Sequence, residues 1–521
     1  MRRLASIALA VAVATPAAAT PVAVTGGQIE GTVLPSGVAA WLGVPFASAP
    51  VRDLRWKPPQ PVAPWAGIYH ADRFAPECLQ PLRGPAQNHY FGNEATSEDC
   101  LYLNIWAPKT ARKAPVVVWI YGGGFNIGSA SMANYSGEPL TQAGVVRVNI
   151  AYRVGPLGFF AHPELSREGG GASGNYGLMD QIAALRWVRD NIAKFGGDPA
   201  NVTIVGQSAG SMSVALLQMS PAAKGLFARA VGMSGSPFGG MLGPTPLATA
   251  EAQGLALQKE IGAASLAEMR GMPADRIVAA TTHRDAITLD GRIVTGTAEA
   301  VFAARRQNDV PVLIGYTRDE SFRPLGPIAN RAALVAAVTA RFGDSADAIL
   351  KAYNSGNPAR DAADIARDST VGLQMAAWAR NQQRYGTKPA YGYIFTRRQP
   401  YATGITFSDH DPATVGAYHS GDVPYWLRTR PAFTLFRETR VWEPGDVTLE
   451  AEMSGALLSF ARGQAPNSPM VGAWPAFDPA APKLVWLALD SKTIAWPHYA
   501  DLDMLIKAAP AAPLARARPR D

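Results

Sequence analysis

The sequence predicts an α/β fold, in which helices cover both faces of a mostly parallel sheet. Short apolar runs rich in β-branched residues, such as 115–121 (PVVVWIY), have the composition of strands that are buried on both faces. These runs alternate with segments of helical periodicity, which is typical of a parallel sheet. In addition, 48% of the 521 residues are hydrophobic and 17% are charged. The chain can therefore fill a large core and is neither disordered nor fibrous.

The elements follow one another along the chain. In order, the predicted elements are strands 115–121 and 145–151, helix 175–195, strand 201–205, helix 208–219, strands 228–234 and 310–315, helix 364–384, strand 390–396 and helix 449–462. The helix at 175–195 ends before the stop signal Gly-Gly-Asp-Pro at 196–199. Two stretches, 237–300 and 323–363, are helical in character without a clear buried strand. We expect them to be insertions that cap the carboxyl edge of the sheet, where α/β proteins bind ligands.

The first residues predict a secretory signal peptide. Arg2 and Arg3 precede the apolar run 4–14, and small residues ending in Ala-Ala-Ala at 17–19 provide an A-x-A cleavage site. The run is too short to span a bilayer, and a buried N-terminal helix is the alternative. We therefore expect residues 1–19 to be removed, and one domain over 20–507, without a membrane span, to be exported to the periplasm or secreted.

The charge of the chain does not indicate a nucleic-acid partner. The formal net charge is +7, of which two charges belong to Arg2 and Arg3. Two more belong to the tail 508–521, which is rich in Ala, Pro and Arg and is predicted to be disordered. Three net charges on a body of this size do not form a nucleic-acid-binding surface.

Two cysteines, Cys78 and Cys100, are the only ones in the sequence. In an exported chain, such a pair predicts one disulfide that closes a loop, with two separate buried thiols as the alternative. Two cysteines do not make a structural zinc site unaided, and the sequence contains no H-E-x-x-H segment. We therefore predict no metal.

Residues 206–210 (GQSAG) fit the pattern G-x-S-x-G, between a predicted strand and a predicted helix. A serine on a sharp strand-to-helix turn exposes its hydroxyl at the sheet edge, where neighbouring side chains would clash. A glycine-rich turn with a helix-capping serine is the alternative. Because a strand and a helix flank the pattern, we predict that Ser208 is a nucleophile.

A glycine-rich segment, 121–125 (YGGGF), directly follows the predicted strand 115–121. Consecutive glycines let backbone N–H groups approach a substrate, as the stabilisation of an oxyanion requires. The alternatives are a flexible loop or a phosphate-binding loop. No Walker lysine follows and no G-x-G-x-x-G opens a helix here. A phosphate-binding loop is therefore less favoured than an oxyanion-binding loop.

Several longer segments match one known family in the same order along the chain. They are 98–106 (EDCLYLNIW), 122–125 (GGGF), 149–155 (NIAYRVG), 174–181 (GNYGLMDQ), 195–199 (FGGDP) and the serine segment 206–210. On these segments the chain resembles the type-B carboxylesterases and cholinesterase-like α/β-hydrolases, over about 22–503. The resemblance implies an α/β-hydrolase fold, with hydrolysis of small-molecule carboxylic esters and no cofactor.

The resemblance also implies the other members of a catalytic triad. In this fold the order is nucleophile, acid, histidine. Glu320 follows the predicted strand 310–315 and matches the family's acid, with Asp319 as its local competitor. The family usually has glycine at the position of Ser321. His419, in the segment 416–425 (GAYHSGDVPY), resembles the family's histidine, whereas His410 and His498 are expected to be solvated or packing residues.

The implied reaction is acyl transfer to water through an acyl-serine. Backbone N–H groups of Gly123, Gly124 and Ala209 match the family's oxyanion hole. Carbamate or amide hydrolysis on the same triad is one alternative. A non-catalytic binding protein is another, because the family includes adhesion proteins. Two ion pairs, Arg55 with Glu98 and Arg153 with Asp180, are expected to be structural.

Two departures from the family have functional consequences. In cholinesterases a tryptophan in the first disulfide loop binds quaternary ammonium, which agrees with cation–π physics. The loop 78–100 contains Tyr90 and Phe91 but no tryptophan, so we expect poor hydrolysis of acetylcholine.

The second departure is at the residue before the nucleophile, which is commonly glutamate in the family and is Gln207 here. A neutral amide near the catalytic histidine does not raise its pKa as a carboxylate would.

Overall fold

The structure, a computed structural model, describes residues 18–239, 243–281 and 287–508 of the chain. The predicted signal peptide, 1–19, and the predicted tail, 508–521, lie outside these residues except at 18–19 and 508. Among the helices of the described part, none combines the length and the apolar character that crossing a bilayer requires.

The described strands range in length from two residues to eleven. In chain order they are β1 (Val22–Val24), β2 (Gly27–Glu30), β3 (Thr32–Val33), β4 (Ala39–Pro45), β5 (Ile68–His70), β6 (Glu77–Cys78), β7 (Thr96–Ser97), β8 (Tyr102–Ala107), β9 (Ala114–Ile120), β10 (Val146–Ile150), β11 (Gly197–Gln207), β12 (Arg229–Met233), β13 (Thr245–Pro246), β14 (Thr288–Leu289), β15 (Val312–Thr317), β16 (Ala390–Phe395), β17 (Asn467–Ser468), β18 (Gly472–Ala473), β19 (Lys483–Leu487) and β20 (Lys492–Ala495).

Within the described residues, eleven strands form one mixed sheet in the order β20-β19-β16-β15-β12-β11-β9-β10-β8-β4-β3. The strands from β19 to β10 in this order are parallel to one another, and antiparallel pairs lie at both ends. Residues 116–120 of the central strand β9 are fully buried. Side chains alternate between the two faces of a strand, so both faces of the sheet are covered at its centre.

Helices fill the connections between the strands. They are α1 (Glu138–Thr141), α2 (Gly155–Gly158), α3 (Pro163–Glu168), α4 (Tyr176–Asn191), α5 (Ala209–Met219), α6 (Leu247–Glu260), α7 (Leu266–Gly271), α8 (Ala274–Val278), α9 (Ala298–Ala303), α10 (Arg331–Phe342), α11 (Ala346–Ala352), α12 (Pro358–Arg367), α13 (Leu373–Tyr385), α14 (Val423–Leu427), α15 (Pro444–Ala461) and α16 (Leu502–Ala508). A π-helical turn, Asp368–Gly372, joins α12 to α13.

Each predicted strand and helix is present, and the differences lie at the boundaries. The predicted helix 364–384 is two helices, α12 and α13, and it begins earlier than predicted because the Asn357 side chain caps the first turn and Pro358 is its first residue. Similarly, α15 begins at Pro444, where Glu443 and Asp446 form a capping box. In the described residues, the first insertion contains α6 to α9 and the two-residue strands β13 and β14. The second insertion contains α10, α11 and the start of α12.

The predicted disulfide between Cys78 and Cys100 is present and closes the segment 78–100, called the disulfide loop below. Within this loop, Glu98 accepts two hydrogen bonds of 2.7 Å from Arg55. The predicted pair of Arg153 with Asp180 is also present, with two bonds of 2.8 Å. These contacts attach the disulfide loop and the N-terminus of α4 to the body of the protein.

Candidate active site

Ser208 lies in the turn between β11, which ends at Gln207, and α5, which begins at Ala209. Its φ of 59° and ψ of −124° lie outside the regions that residues with a side chain favour. The turn is tight because a Cβ at Gly210 would lie 2.1 Å from the carbonyl oxygen of Ile120. The Ser208 side chain is therefore presented at the carboxyl edge of the parallel strands.

The glycine-rich segment after β9 lies against the same serine. A Cβ on Gly122 would lie 2.9 Å from the Cβ of Ser208, so a side chain at Gly122 would displace the serine. Gly123 has a φ of 114°, in the left-handed region that favours glycine. On the other side of Ser208, Ala209 begins α5, where the first N–H groups have no intrahelical partner. Backbone donors thus approach Ser208 from the loop and from the helix.

Glu320 follows β15 and its side chain is almost completely buried, with 1% exposed. Its Oε1 accepts hydrogen bonds of 2.7 Å from the Ser234 hydroxyl and from the N–H of Thr317. Its Oε2 contacts the Nδ1 of His419. The carboxylate is therefore fixed by two donors on one oxygen and presents the other oxygen to the imidazole.

His419 lies in the loop after β16, and 35% of its side chain is exposed. Burial lowers the pKa of His419, but the neighbouring Glu320 carboxylate raises it more, so that the pKa lies above its usual value. The contact with Glu320 fixes the hydrogen on Nδ1. The other ring nitrogen, Nε2, is then the one that can accept a proton.

Gln207 contacts that second nitrogen. Its amide Nε2 lies 3.1 Å from the Nε2 of His419, and an amide nitrogen can only donate. Among the described residues, the Ser208 hydroxyl makes no direct hydrogen bond with His419. The imidazole is therefore contacted by Gln207, the residue that precedes Ser208 in the chain, and not by Ser208 itself.

Asp319, the competitor of Glu320, does not face the imidazole. Its carboxylate accepts hydrogen bonds from Arg318 and Arg360 and from the N–H of Ala417, the last at 2.8 Å. Burial raises the pKa of Asp319, but these donors lower it more, to below its usual value. Its N–H also donates to the carbonyl oxygen of Ala417. Asp319 thus joins the turn of the acid to the loop of the histidine.

Ser321, His498 and His410 contact residues outside the triad. Ser321, which replaces the family's usual glycine, donates a 2.8 Å bond to the carbonyl oxygen of Ala366 and has no left-handed φ. The turn after the acid therefore does not require glycine. His498 stacks on Tyr353 with ring centroids 4.1 Å apart. His410 bonds to the hydroxyl of Tyr401 at 3.0 Å, and burial lowers its pKa to about 4.

Two residues at the site were not predicted from the sequence. Phe322, two positions after the acid, packs its ring edge-on against His419 with centroids 5.4 Å apart. His89, in the disulfide loop, lies with its Nε2 3.2 Å from the Oγ of Ser420, the residue that follows His419. The position of Phe322, two residues after Glu320, is a signal that could have indicated it. His89 gave none, because it is 331 residues from its partner.

The arrangement as a whole is suited to general base catalysis at a serine. It contains a buried carboxylate, an imidazole oriented by that carboxylate, and a serine on a strained turn beside backbone donors. Such a set can remove a proton from a hydroxyl and stabilise negative charge on a substrate oxygen.

Comparison with known proteins gives a consistent result. The sequence model of the Carboxylesterase family matches residues 18–499. The chain is 37% identical over 475 residues to the fumonisin B1 esterase of Sphingopyxis macrogoltabida, an alignment that covers 87% of this chain and 83% of that protein. It is 30% identical over 489 residues to the phenmedipham hydrolase of Pseudarthrobacter oxydans, with 88% of this chain and 94% of that protein covered.

Solved structures are similar over nearly the whole chain. A PNB esterase superposes with a TM-score of 0.78 at 29% identity, covering 93% of this chain and 99% of that one. A thermophilic PNB esterase gives a TM-score of 0.77 at 28% identity, with the same coverage. The fold is therefore that of the α/β-hydrolases, as the sequence predicted.

Proposed function

This chain belongs to the carboxylesterase family and is a carboxylic ester hydrolase, and from this membership we propose that it acts through an acyl intermediate on Ser208. His419 is the general base and Glu320 orients it. The observation that carries the proposal is the contact of Glu320 with Nδ1 of His419, which leaves Nε2 as the ring nitrogen that can accept a proton. Gln207, the residue before Ser208, contacts this nitrogen.

The reaction begins with attack of the Ser208 oxygen on the carbonyl carbon of the ester. The hydroxyl proton passes to Nε2 of His419, and the carbonyl oxygen becomes an oxyanion. The tetrahedral intermediate then collapses, and the leaving alcohol takes the proton from His419. Water then attacks the carbonyl carbon of the acyl-serine and gives a proton to His419. The second tetrahedral intermediate collapses, the Ser208 oxygen takes that proton back from His419, and the carboxylic acid is released.

The negative charge that develops on the substrate oxygen needs donors that are already in place. We assign this role to the backbone N–H groups of Gly123, Gly124 and Ala209. The support for this assignment is the approach of the glycine loop to Ser208 and the position of Ala209 at the first turn of α5.

Gln207 adds a step to this scheme. Because its amide contacts Nε2 of His419 in the free protein, proton transfer from Ser208 requires the amide to give up that contact. The amide NH2 of Gln207 is then available to donate a hydrogen bond to an oxygen of the ester substrate. Substrate binding and activation of the base are therefore coupled at Gln207.

A p-nitrophenyl ester assay with purified protein tests the proposal. Wild-type protein is expected to release p-nitrophenolate, and Ser208→Ala is expected to abolish this release. Ser36→Ala, an exposed serine remote from the site, is the matched control and should keep full activity. A phosphonate ester probe should label the wild-type protein covalently on the Ser208 peptide. Labelling elsewhere, or activity in Ser208→Ala, contradicts the proposal.

The acyl and alcohol preferences need a substrate panel. Fumonisin B1 and phenmedipham, for which two relatives are named, belong in it together with simple alkyl and aryl esters. The same serine chemistry applies to carbamates and amides, so the panel includes one of each with a matched leaving group. The ratio of kcat/KM values for these classes decides between them.

A further inference from the structure

The disulfide loop reaches the backbone of the proposed general base through one side chain. Nε2 of His89 lies 3.2 Å from the Oγ of Ser420. The Ser420 hydroxyl in turn donates to the carbonyl oxygen of His419. Because this hydroxyl has a single hydrogen, its oxygen accepts from His89. The donors therefore form a relay from His89 through Ser420 to His419.

The backbone at Ser420 needs such a relay. Its φ of 69° lies in the left-handed region, which costs free energy for a residue other than glycine. Such conformations persist only where surrounding contacts fix them. Here the relay fixes Ser420, the strained residue directly after His419. It thereby fixes the direction in which the His419 side chain projects from the loop.

His89 is itself held firmly and is uncharged. Its ring packs among Phe91, Tyr418 and Phe433, with centroids 5.7 to 6.0 Å away. Burial, together with the positive charge of Arg440 and the nearby His410 and His419, lowers the pKa of His89 to about 3. The ring is therefore neutral at neutral pH and has one N–H to donate.

The neighbouring residue Asn88 ties the same part of the loop to the body. Its Oδ1 accepts a 2.6 Å hydrogen bond from Arg440, and its N–H donates to Asp409 at 2.9 Å. Arg440 also contacts the hydroxyl of Tyr418, which directly precedes His419. The disulfide loop thus approaches the histidine loop from one side with two consecutive residues, of which His89 makes the contact at Ser420.

We propose that His89 is a positioning residue for the general base, and that the disulfide loop acts on catalysis through the relay from His89 to Ser420. The proposal rests on the proposed role of His419. It assigns a function to a residue that touches neither the substrate nor the reacting atoms, and it makes the rate of ester hydrolysis dependent on the loop that Cys78 and Cys100 close.

Substitutions at both ends of the relay test it. His89→Phe keeps the ring volume but removes the N–H, and His89→Gln restores a donor at a similar reach. Loss of one hydrogen bond at this position should lower kcat about tenfold with KM little changed. His89→Gln should recover most of that loss. In a Ser420→Ala background, His89→Phe should cause no further loss, because the relay is already broken. The control His70→Phe, at an exposed histidine remote from the site, should leave kcat unchanged.

A spectroscopic readout separates the inference from the proposed function. The Nδ1 proton that His419 shares with Glu320 is observable far downfield by NMR, and it should shift or broaden in His89→Phe while melting temperature changes little. Absence of ester hydrolysis in the wild type overturns the proposed function, and the NMR signal then still tests the relay. An unchanged signal, a wild-type kcat in His89→Phe, or additive losses in the double variant overturns the inference.

Discussion

The amide Nε2 of Gln207 lies 3.1 Å from the Nε2 of His419, the ring nitrogen opposite the one that contacts Glu320. A hydrogen bond donated to the lone pair of an imidazole stabilises its neutral form, whereas a carboxylate in the same place stabilises the imidazolium. Gln207, the residue before the nucleophile, therefore affects the pKa of His419 at Nε2, the ring nitrogen that Glu320 does not contact.

The first prediction concerns Gln207→Glu. The new carboxylate favours imidazolium and adds to the raising effect of Glu320, so the pKa of His419 should rise further. Because the histidine acts as a base only when neutral, the acid limb of the kcat/KM profile should move to higher pH, by a few tenths of a unit to about one unit. The measurement is a full pH profile with a p-nitrophenyl ester.

Gln207→Met is the matched control, since it keeps the chain length but has neither charge nor donor. Loss of the amide donor removes stabilisation of the neutral imidazole, so this variant should shift the limb upward by less than Gln207→Glu does. The difference between the two variants isolates the charge. If the acid limb of the kcat/KM profile stays in place in Gln207→Glu, or moves to lower pH, the side chain at position 207 does not contact His419.

Glu320 and Asp319 are adjacent carboxylates with different partners, and their amide variants should differ accordingly. In Glu320→Gln the amide oxygen should take the place of Oε1, where Ser234 and Thr317 donate, so that an NH2 group faces Nδ1 of His419 in place of an acceptor. The kcat should then fall by roughly 10³- to 10⁴-fold. Asp319→Asn can keep an acceptor for the N–H of Ala417 but loses the charge and the oxygen that Arg360 contacts. Because Asp319 does not contact the imidazole, kcat should fall by about tenfold or less. Steady-state kinetics with melting temperatures measured in parallel check this. Equal losses of kcat in the two variants would contradict the assignment of Glu320 as the acid of the triad.

The sequence was sufficient to predict the strands that are buried on both faces of the sheet. Strands such as β9 and β15 are short apolar runs, and their alternation with helices predicted a mostly parallel sheet. Strand β4, which lies near the antiparallel end, was not predicted, because a register shift between Trp41 and Val44 interrupts its pattern. Helix starts at Pro358 and Pro444 were missed because capping side chains set them, not apolar periodicity.

For the site, the sequence indicated residues that belong to local patterns. Ser208 stands in a strand-turn-helix pattern, and Glu320 and His419 stand in segments that resemble a family. The partners of these residues depend on contacts between distant parts of the chain. Neither the bond between His89 and Ser420 nor the clamp of Asp319 on Ala417 follows from spacing, since each joins loops whose relative position only the folded sheet determines.

The disulfide is predicted to stabilise the fold and to support catalysis indirectly. In the chain-entropy account, Cys78→Ser should lower the free energy of unfolding by roughly 3 kcal/mol, because the loop in the unfolded chain is no longer closed. Thermal unfolding of native and Cys78→Ser protein measures this. Titration of native protein under denaturing conditions should find no free thiol, and two reactive thiols would show that the bridge does not form.

Acetylcholine should be a poor substrate. Recognition of a quaternary ammonium relies on an aromatic face, tryptophan being the best. In the disulfide loop, Phe91 is buried and Tyr90 packs against Phe436 with centroids 5.6 Å apart. Weak or undetectable acetylcholine hydrolysis is therefore expected beside efficient hydrolysis of simple aryl or alkyl esters. Comparable kcat/KM values for acetylcholine and phenyl acetate would contradict this.

The last prediction concerns the strain at Ser208. Its φ of 59° and ψ of −124° are open to glycine but costly for any residue with a Cβ, by about 1–3 kcal/mol. Ser208→Ala keeps that cost and Ser208→Gly removes it. Glycine also gains entropy in the unfolded chain, which offsets up to about 1 kcal/mol of the relief.

Ser208→Gly should therefore unfold with a free energy about 1 kcal/mol higher than Ser208→Ala, although neither variant is active. Denaturant unfolding of both variants measures the difference. Ser213, in the interior of α5, supplies the matched control: there Ser213→Gly should be less stable than Ser213→Ala by about 1 kcal/mol, because the backbone is already helical. If alanine is the more stable choice at both positions, the turn at Ser208 is not strained. The opposite order at the two positions would show that the protein gives up stability to hold its nucleophile in place.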